Sequence, residues 1–98
     1  MIIHVVMIKF KDGVKRDKIL EIKKDIEELK LYIPQLKNME VGLNFAKEDR
    51  AMDLVLIASF DSKEDLEIYA KDKTHQKVIE KIKEVASYSK VVDYEKVT

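Results

Sequence analysis

Two histidines and a tyrosine are the side chains whose type and placing could move a proton. His4 sits in an apolar run, Ile2 to Phe10. His75 lies on the apolar side of a helical stretch near the end of the chain, and Tyr69 comes less than two turns earlier on the preceding one. An imidazole changes charge near neutral pH, so two of them converging beside a phenol make a candidate acid/base or ligand-contacting cluster. The competing reading is a filled core, with Ile26 and Leu29 closing the space and each histidine bonded to a backbone carbonyl. Other chemistries lack their residues. No cysteine is present, which excludes disulfides, thiolate metal sites and cysteine nucleophiles. Neither H-E-x-x-H nor H-x-x-E-H occurs, and two histidines alone do not complete a metal set. Ser59 and Ser62 are not in a G-x-S-x-G context, and Gly13 and Gly42 are the only glycines, so no phosphate-cradling loop exists. Neither a metal nor a cofactor is expected.

The elements that must position these groups follow from periodicity. Strand side chains alternate, so Ile2, His4, Val6, Ile8 and Phe10 share one face and Ile3, Val5, Met7 and Lys9 the other. Both faces are largely apolar and rich in β-branched residues, which describes a central strand covered on both sides. Lys11-Asp12-Gly13 supplies a turn. From about Lys15 the period becomes helical: Ile19, Ile22, Ile26, Leu29 and Ile33 form one stripe, and Pro34 ends it. Period two returns at Met39, Val41, Leu43 and Phe45, followed by a polar loop over 46–52. Leu54 to Phe60 reads as a second strand apolar on both faces, with Asp61 or Ser62 capping the next helix. That helix carries Leu66, Tyr69 and Ala70 and is expected to break near Lys71 to Lys73. Thr74 is then expected to cap a fresh helix with His75, Ile79, Ile82 and Ala86 on one face. Tyr88 to Glu95 is the last strand.

The order is β-α-β-β-α-β, an α+β, ferredoxin-like arrangement with an antiparallel four-stranded sheet ordered 4-1-3-2. The two most apolar strands take the two central places. Right-handed crossovers put both helices on one face, which leaves the other face uncovered. Apolar patches of that extent rarely stay exposed, so the pattern predicts a homodimer through the sheet face, with Val5 and Met7 toward the partner and His4 and Val6 toward the helices.

At 98 residues the chain is expected to be one domain, 1–98. Nineteen basic and 19 acidic residues balance, which argues against nucleic acid or an acidic membrane as partner. No apolar run is long enough to span a bilayer and a strand starts at the second residue, so a cytoplasmic protein is expected.

Several segments together resemble the stress-responsive A/B barrel domain (Dabb) family. They are H-V-V-M-I-K-F near the start, I-P-Q-L after the first helix, V-G-L-N, F-D-S-K-E-D-L-E-I-Y, and V-V-D-Y-E near the end. The resemblance covers almost the whole chain and implies a ferredoxin-like unit that dimerises sheet to sheet into an α/β barrel. Most bacterial members have no assigned activity, and some plant members are implicated in stress tolerance. In a polyketide cyclase of the family the catalytic histidine lies in a Y-x-x-H-P-x-H segment and another histidine lies on the first strand. Tyr69, His75 and His4 stand at the corresponding places. The first His-Pro of that segment is Asp72-Lys73 here, and a pocket tyrosine of the cyclase's first helix falls near Ile26.

The resemblance therefore implies a dimeric barrel protein that binds a small apolar or aromatic molecule between sheet and helices. An alternative it implies is a cyclase-like or cofactor-free monooxygenase-like enzyme. His75 would remove a proton, Tyr69 would steady the oxyanion, and His4 would orient or relay. A purely structural dimer module is the third reading.

Overall fold

The structure, a computed structural model, describes residues 1–97. The strands are β1 (Ile2–Phe10), β2 (Asn38–Leu43), β3 (Leu54–Phe60) and β4 (Ala86–Glu95); the helices are α1 (Arg16–Glu28), α2 (Lys63–Lys71) and α3 (Lys73–Val85). A 3-10 turn over Leu29–Leu31 continues α1. All strand pairs are antiparallel, in the order β2-β3-β1-β4. This is the expected ferredoxin-like order, with the second helical region split in two.

The even-numbered side of β1 faces the helices. Ile2, Ile8 and Phe10 join Ile22 and Ile26 of α1, Leu29, Ile33, and Leu54, Leu56 and Phe60 of β3 in one core. Lys23–Glu27 and Lys24–Glu28 pair across one turn on the wet side of α1. Gly13, with φ of 85°, makes the turn out of β1 in a backbone region where a side chain would be strained. Lys81 of α3 ties the two helical regions together, with Nζ 2.6 Å from Glu21 and 2.7 Å from Asp25 of α1.

Among the described residues no helix covers the other side of the sheet. It presents Ile3, Val5 and Met7 of β1, Val55 and Ile57 of β3, and Tyr88, Val92 and Tyr94 of β4. Val92 is 56% and Tyr94 48% exposed.

Four boundaries differ from the sequence expectation. The α-helix ends at Glu28, not next to Pro34; tightening to i→i+3 bonds (Tyr32 N–H to Leu29 C=O) keeps Ile33 turned inward ahead of the proline. β2 stops at Leu43, because the Asn44 side chain bonds both polar groups of the Ala46 backbone and draws the chain out of the ladder. Phe45 is consequently 95% exposed instead of extending the apolar face.

The break after α2 falls where expected, but Thr74 is not the cap. Asp72 is, its carboxylate accepting the N–H groups of Thr74 (2.8 Å) and His75 (3.2 Å). An Asx carboxylate two residues before the first free amides reaches them better than a threonine already inside the turn. Finally, Ala86 leaves the helical stripe to start β4, pairing with Phe10 at a register shift beside Lys9. At the start of α2 the ambiguity resolves to Ser62, whose hydroxyl accepts from Asp65 N–H at 3.1 Å.

Candidate functional site

β1 brings His4 to the helix side, α2 brings Tyr69 down onto the sheet, and α3 turns His75 toward both. The Tyr69 ring is 1% exposed. It lies with its centroid 5.1 Å from Phe60, 4.0 Å from His75 and 6.2 Å from His4, the last an edge-on contact. The three side chains singled out from the sequence are therefore neighbours. The small Ala58 stands beside His4 on β3.

The environment of each ring sets its proton. His75 is half-buried, and desolvation, the largest influence, holds its imidazole below the ordinary value of 6.5; the nearby His4 acts in the same direction. Hydrogen bonding to the Ala70 and Tyr69 backbone and the Asp72 charge oppose that shift without overcoming it. His75 Nδ1 lies 3.4 Å from the Ala70 carbonyl. A carbonyl only accepts, so Nδ1 carries the proton in this contact and Nε2 keeps its lone pair. Gln76 Nε2 donates to the same carbonyl at 2.5 Å. Burial pushes the Tyr69 phenol well above its usual range, so it stays a neutral hydroxyl.

Asp93, which the sequence reading did not single out, hydrogen-bonds His4 Nδ1 from the adjacent strand β4. A carboxylate on one nitrogen fixes the tautomer and turns the other nitrogen toward the interior. Asp93 sits in V-V-D-Y-E, an alternating polar strand in which it looks like ordinary solvated charge. Only the β1–β4 register, His4 opposite Asp93, marks it out.

Asp93 also lines a groove of about 360 Å³ with Ile2, Leu66 and Tyr94. The groove lies between α2 and β4, and the three rings are not among its lining residues; Asp93 links it to them through His4. A hollow of about 440 Å³ lies at the β2–β3 hairpin end of the sheet, lined by Met7, Gly42, Phe45 and Val55 among others, away from the rings. Among the described residues no group of three or more His, Cys, Asp or Glu side chains is placed to hold a metal ion. Among them, too, no helix is long and apolar enough to cross a membrane.

Fold and site together define a ferredoxin-like α+β protein with two histidines and a tyrosine gathered on the helix side of its sheet. Residues 2–96 match the model of the stress responsive A/B barrel domain (Dabb), and the chain belongs to that family. No protein with a curated description matches it significantly.

Solved structures do. An Arabidopsis thaliana protein is 25% identical with a TM-score of 0.90, over 100% of this chain and 97% of that one. A dimeric protein of unknown function from Bacteroides fragilis is 28% identical with a TM-score of 0.82, over 96% of this chain and 94% of that one. The hydroxynitrile lyase of Passiflora edulis is 20% identical with a TM-score of 0.85, over 95% of this chain and 90% of that one; at that identity the likeness is one of fold.

Proposed function

We propose that residues 1–98 act as one domain, a cytoplasmic homodimer closed sheet to sheet, which binds a small apolar or aromatic molecule between sheet and helices against Tyr69, His75 and His4. The observation that carries the binding reading is the convergence of the three rings from three different elements, with a 4.0 Å Tyr69–His75 stack. Rings of this kind offer flat apolar surface together with nitrogen and hydroxyl groups that orient a ligand. In this reading a ligand enters beside the groove bounded by Ile2, Leu66 and Asp93, which reaches the rings through the Asp93–His4 contact. The homodimer is supported by the uncovered apolar face and by the dimeric Bacteroides fragilis relative.

NMR titration of the two histidines with a small phenolic ligand tests this. A bound ligand should shift the His75 and His4 ring protons in the wild type and leave His4 unmoved in His75→Ala. Rings that neither titrate with pH nor respond to any aromatic probe belong to a sealed core, and the binding reading is then lost.

A second reading is favoured by one specific observation, the His75 imidazole held neutral beside a protonated phenol, with His4 tied to Asp93. That is the protonation state a general base needs, with Tyr69 as donor to a developing oxyanion. The enzyme would act on polyketide-like substrates, removing a proton from a carbon flanked by carbonyl groups, or on quinol-like substrates as a cofactor-free monooxygenase. Turnover that disappears in folded His75→Ala establishes it; ligand binding without turnover across both substrate classes returns the protein to the binding reading.

A further inference from the structure

We propose that Gln76 is a positioning residue for His75: its side-chain amide takes the larger share of the Ala70 carbonyl, so that this carbonyl aims the imidazole without gripping it. This rests on the reading of His75 as a ligand-contacting or proton-accepting group, and adds the residue that governs it.

Ala70 lies in the last turn of α2, where carbonyls lack helical partners. In a continuous helix the Thr74 N–H would bond the Ala70 carbonyl. Here that N–H is turned to the Asp72 carboxylate, at 2.8 Å. The Ala70 carbonyl is left to side chains, and two reach back to it from the first turn of α3. Gln76 Nε2 stands 2.5 Å away and His75 Nδ1 3.4 Å. A carbonyl oxygen has two lone pairs and can serve both donors. It does not serve them equally, because a hydrogen bond weakens with length and 3.4 Å is at the far end of the range. The nearer amide also draws electron density from the oxygen, which weakens what is left for the imidazole.

Nothing else explains the reach of Gln76. Its backbone is already in the helix, N–H to the Asp72 carbonyl at 2.9 Å, and its side chain is exposed. The groups facing the His75 ring are Tyr69 of α2, His4 of β1 with Asp93 of β4 behind it, and Asp72 at the break. Gln76 carries no charge to add to theirs, so its influence passes through the shared oxygen. A carbonyl on Nδ1–H favours the protonated ring, since a cationic N–H is the stronger donor. Limiting that bond keeps the imidazole neutral, with the Nε2 lone pair free to accept a hydroxyl or a proton.

NMR titration of the two histidines in the ligand-free protein tests this. Gln76→Met and Gln76→Ala both remove the donor while keeping a good helix former at an exposed position, so both should fold with a urea midpoint close to wild type. In each, the His75 midpoint should rise by about half a pH unit and the neutral ring should report more of the Nδ1–H form in its nitrogen shifts. The His4 midpoint should move much less. Gln76→Lys brings back a donor of similar reach, and its charge acts in the same direction, so His75 should return to the wild-type midpoint or below. A midpoint unchanged or lowered in either Gln76→Met or Gln76→Ala overturns the proposal, as does a Gln76→Lys variant that stays raised. Either result leaves ligand binding by the rings standing. A His75 that titrates as expected but meets no aromatic probe removes the binding reading alone, and one that does not titrate at all removes both.

Discussion

Tyr69 and His75 stack with centroids 4.0 Å apart and planes inclined by 33°, although they belong to separate helices. In one continuous helix, side chains six residues apart are offset by about 9 Å along the axis and about 240° around it. They could not touch. The contact exists because Asp72 is extended, with ψ of 135°, and restarts the chain as α3 at a new angle. The cap residue is therefore also the residue that assembles the site.

Asp72→Ala should cost about 1 kcal/mol by urea unfolding, the usual loss for a cap carboxylate, whereas Thr74→Ala should cost less than about 0.5 kcal/mol. The same Asp72 variant should weaken the ring-current shift that Tyr69 imposes on His75. Equal losses in the two variants would place the cap elsewhere.

Tyr69 is a core residue and, in the proposed function, a site residue, so its variants should separate the two roles. Tyr69→Ala removes a ring packed on Phe60 and His75 and should cost about 3–5 kcal/mol. Tyr69→Phe keeps the packing and should stay within about 1.5 kcal/mol while losing the hydroxyl proposed to orient a ligand. Because burial raises the phenol, alkaline titration of the folded protein should show Tyr69 ionising only on unfolding.

His75 should make the protein sensitive to acid. Its folded imidazole is held below the ordinary 6.5, so between the two values the unfolded chain binds more protons. The stabilisation is complete above the unfolded value and is lost as pH falls through the folded one. His75→Gln should flatten that part of the stability–pH curve without moving the neutral plateau downward by a comparable amount. A curve identical to wild type would show that His75 is not the titrating group.

Charge placed on the open face should break the proposed dimer, and charge on the helix side of the edge strand should not. Val5→Lys lies in the middle of that face, and light scattering should find it monomeric at micromolar concentration. Val91→Lys lies on the other face of β4, at a position 59% exposed, and should remain dimeric. Dissociation by both variants would point to general destabilisation instead of an interface.

The sequence by itself determined the element order, the central place of β1 and β3, and the split between a helix-covered and an uncovered sheet face. Each of these follows from local period: two for Ile2–Phe10 and Leu54–Phe60, three and four for Ile19 to Ile33, with a break at Lys71–Lys73. It also singled out His4, Tyr69 and His75, since proton-exchanging rings on apolar faces are few in a chain with two histidines. Tertiary structure alone decided what surrounds them. Asp93 meets His4 across 89 positions of sequence, a contact set by the β1–β4 register, which alternation leaves free to slide by two residues. The choice of Asp72 over Thr74 as cap, and the outward turn of Phe45, depend on where side-chain oxygens reach once the backbone is placed. Periodicity reports which face a residue occupies; it carries no information on which distant group comes to stand opposite.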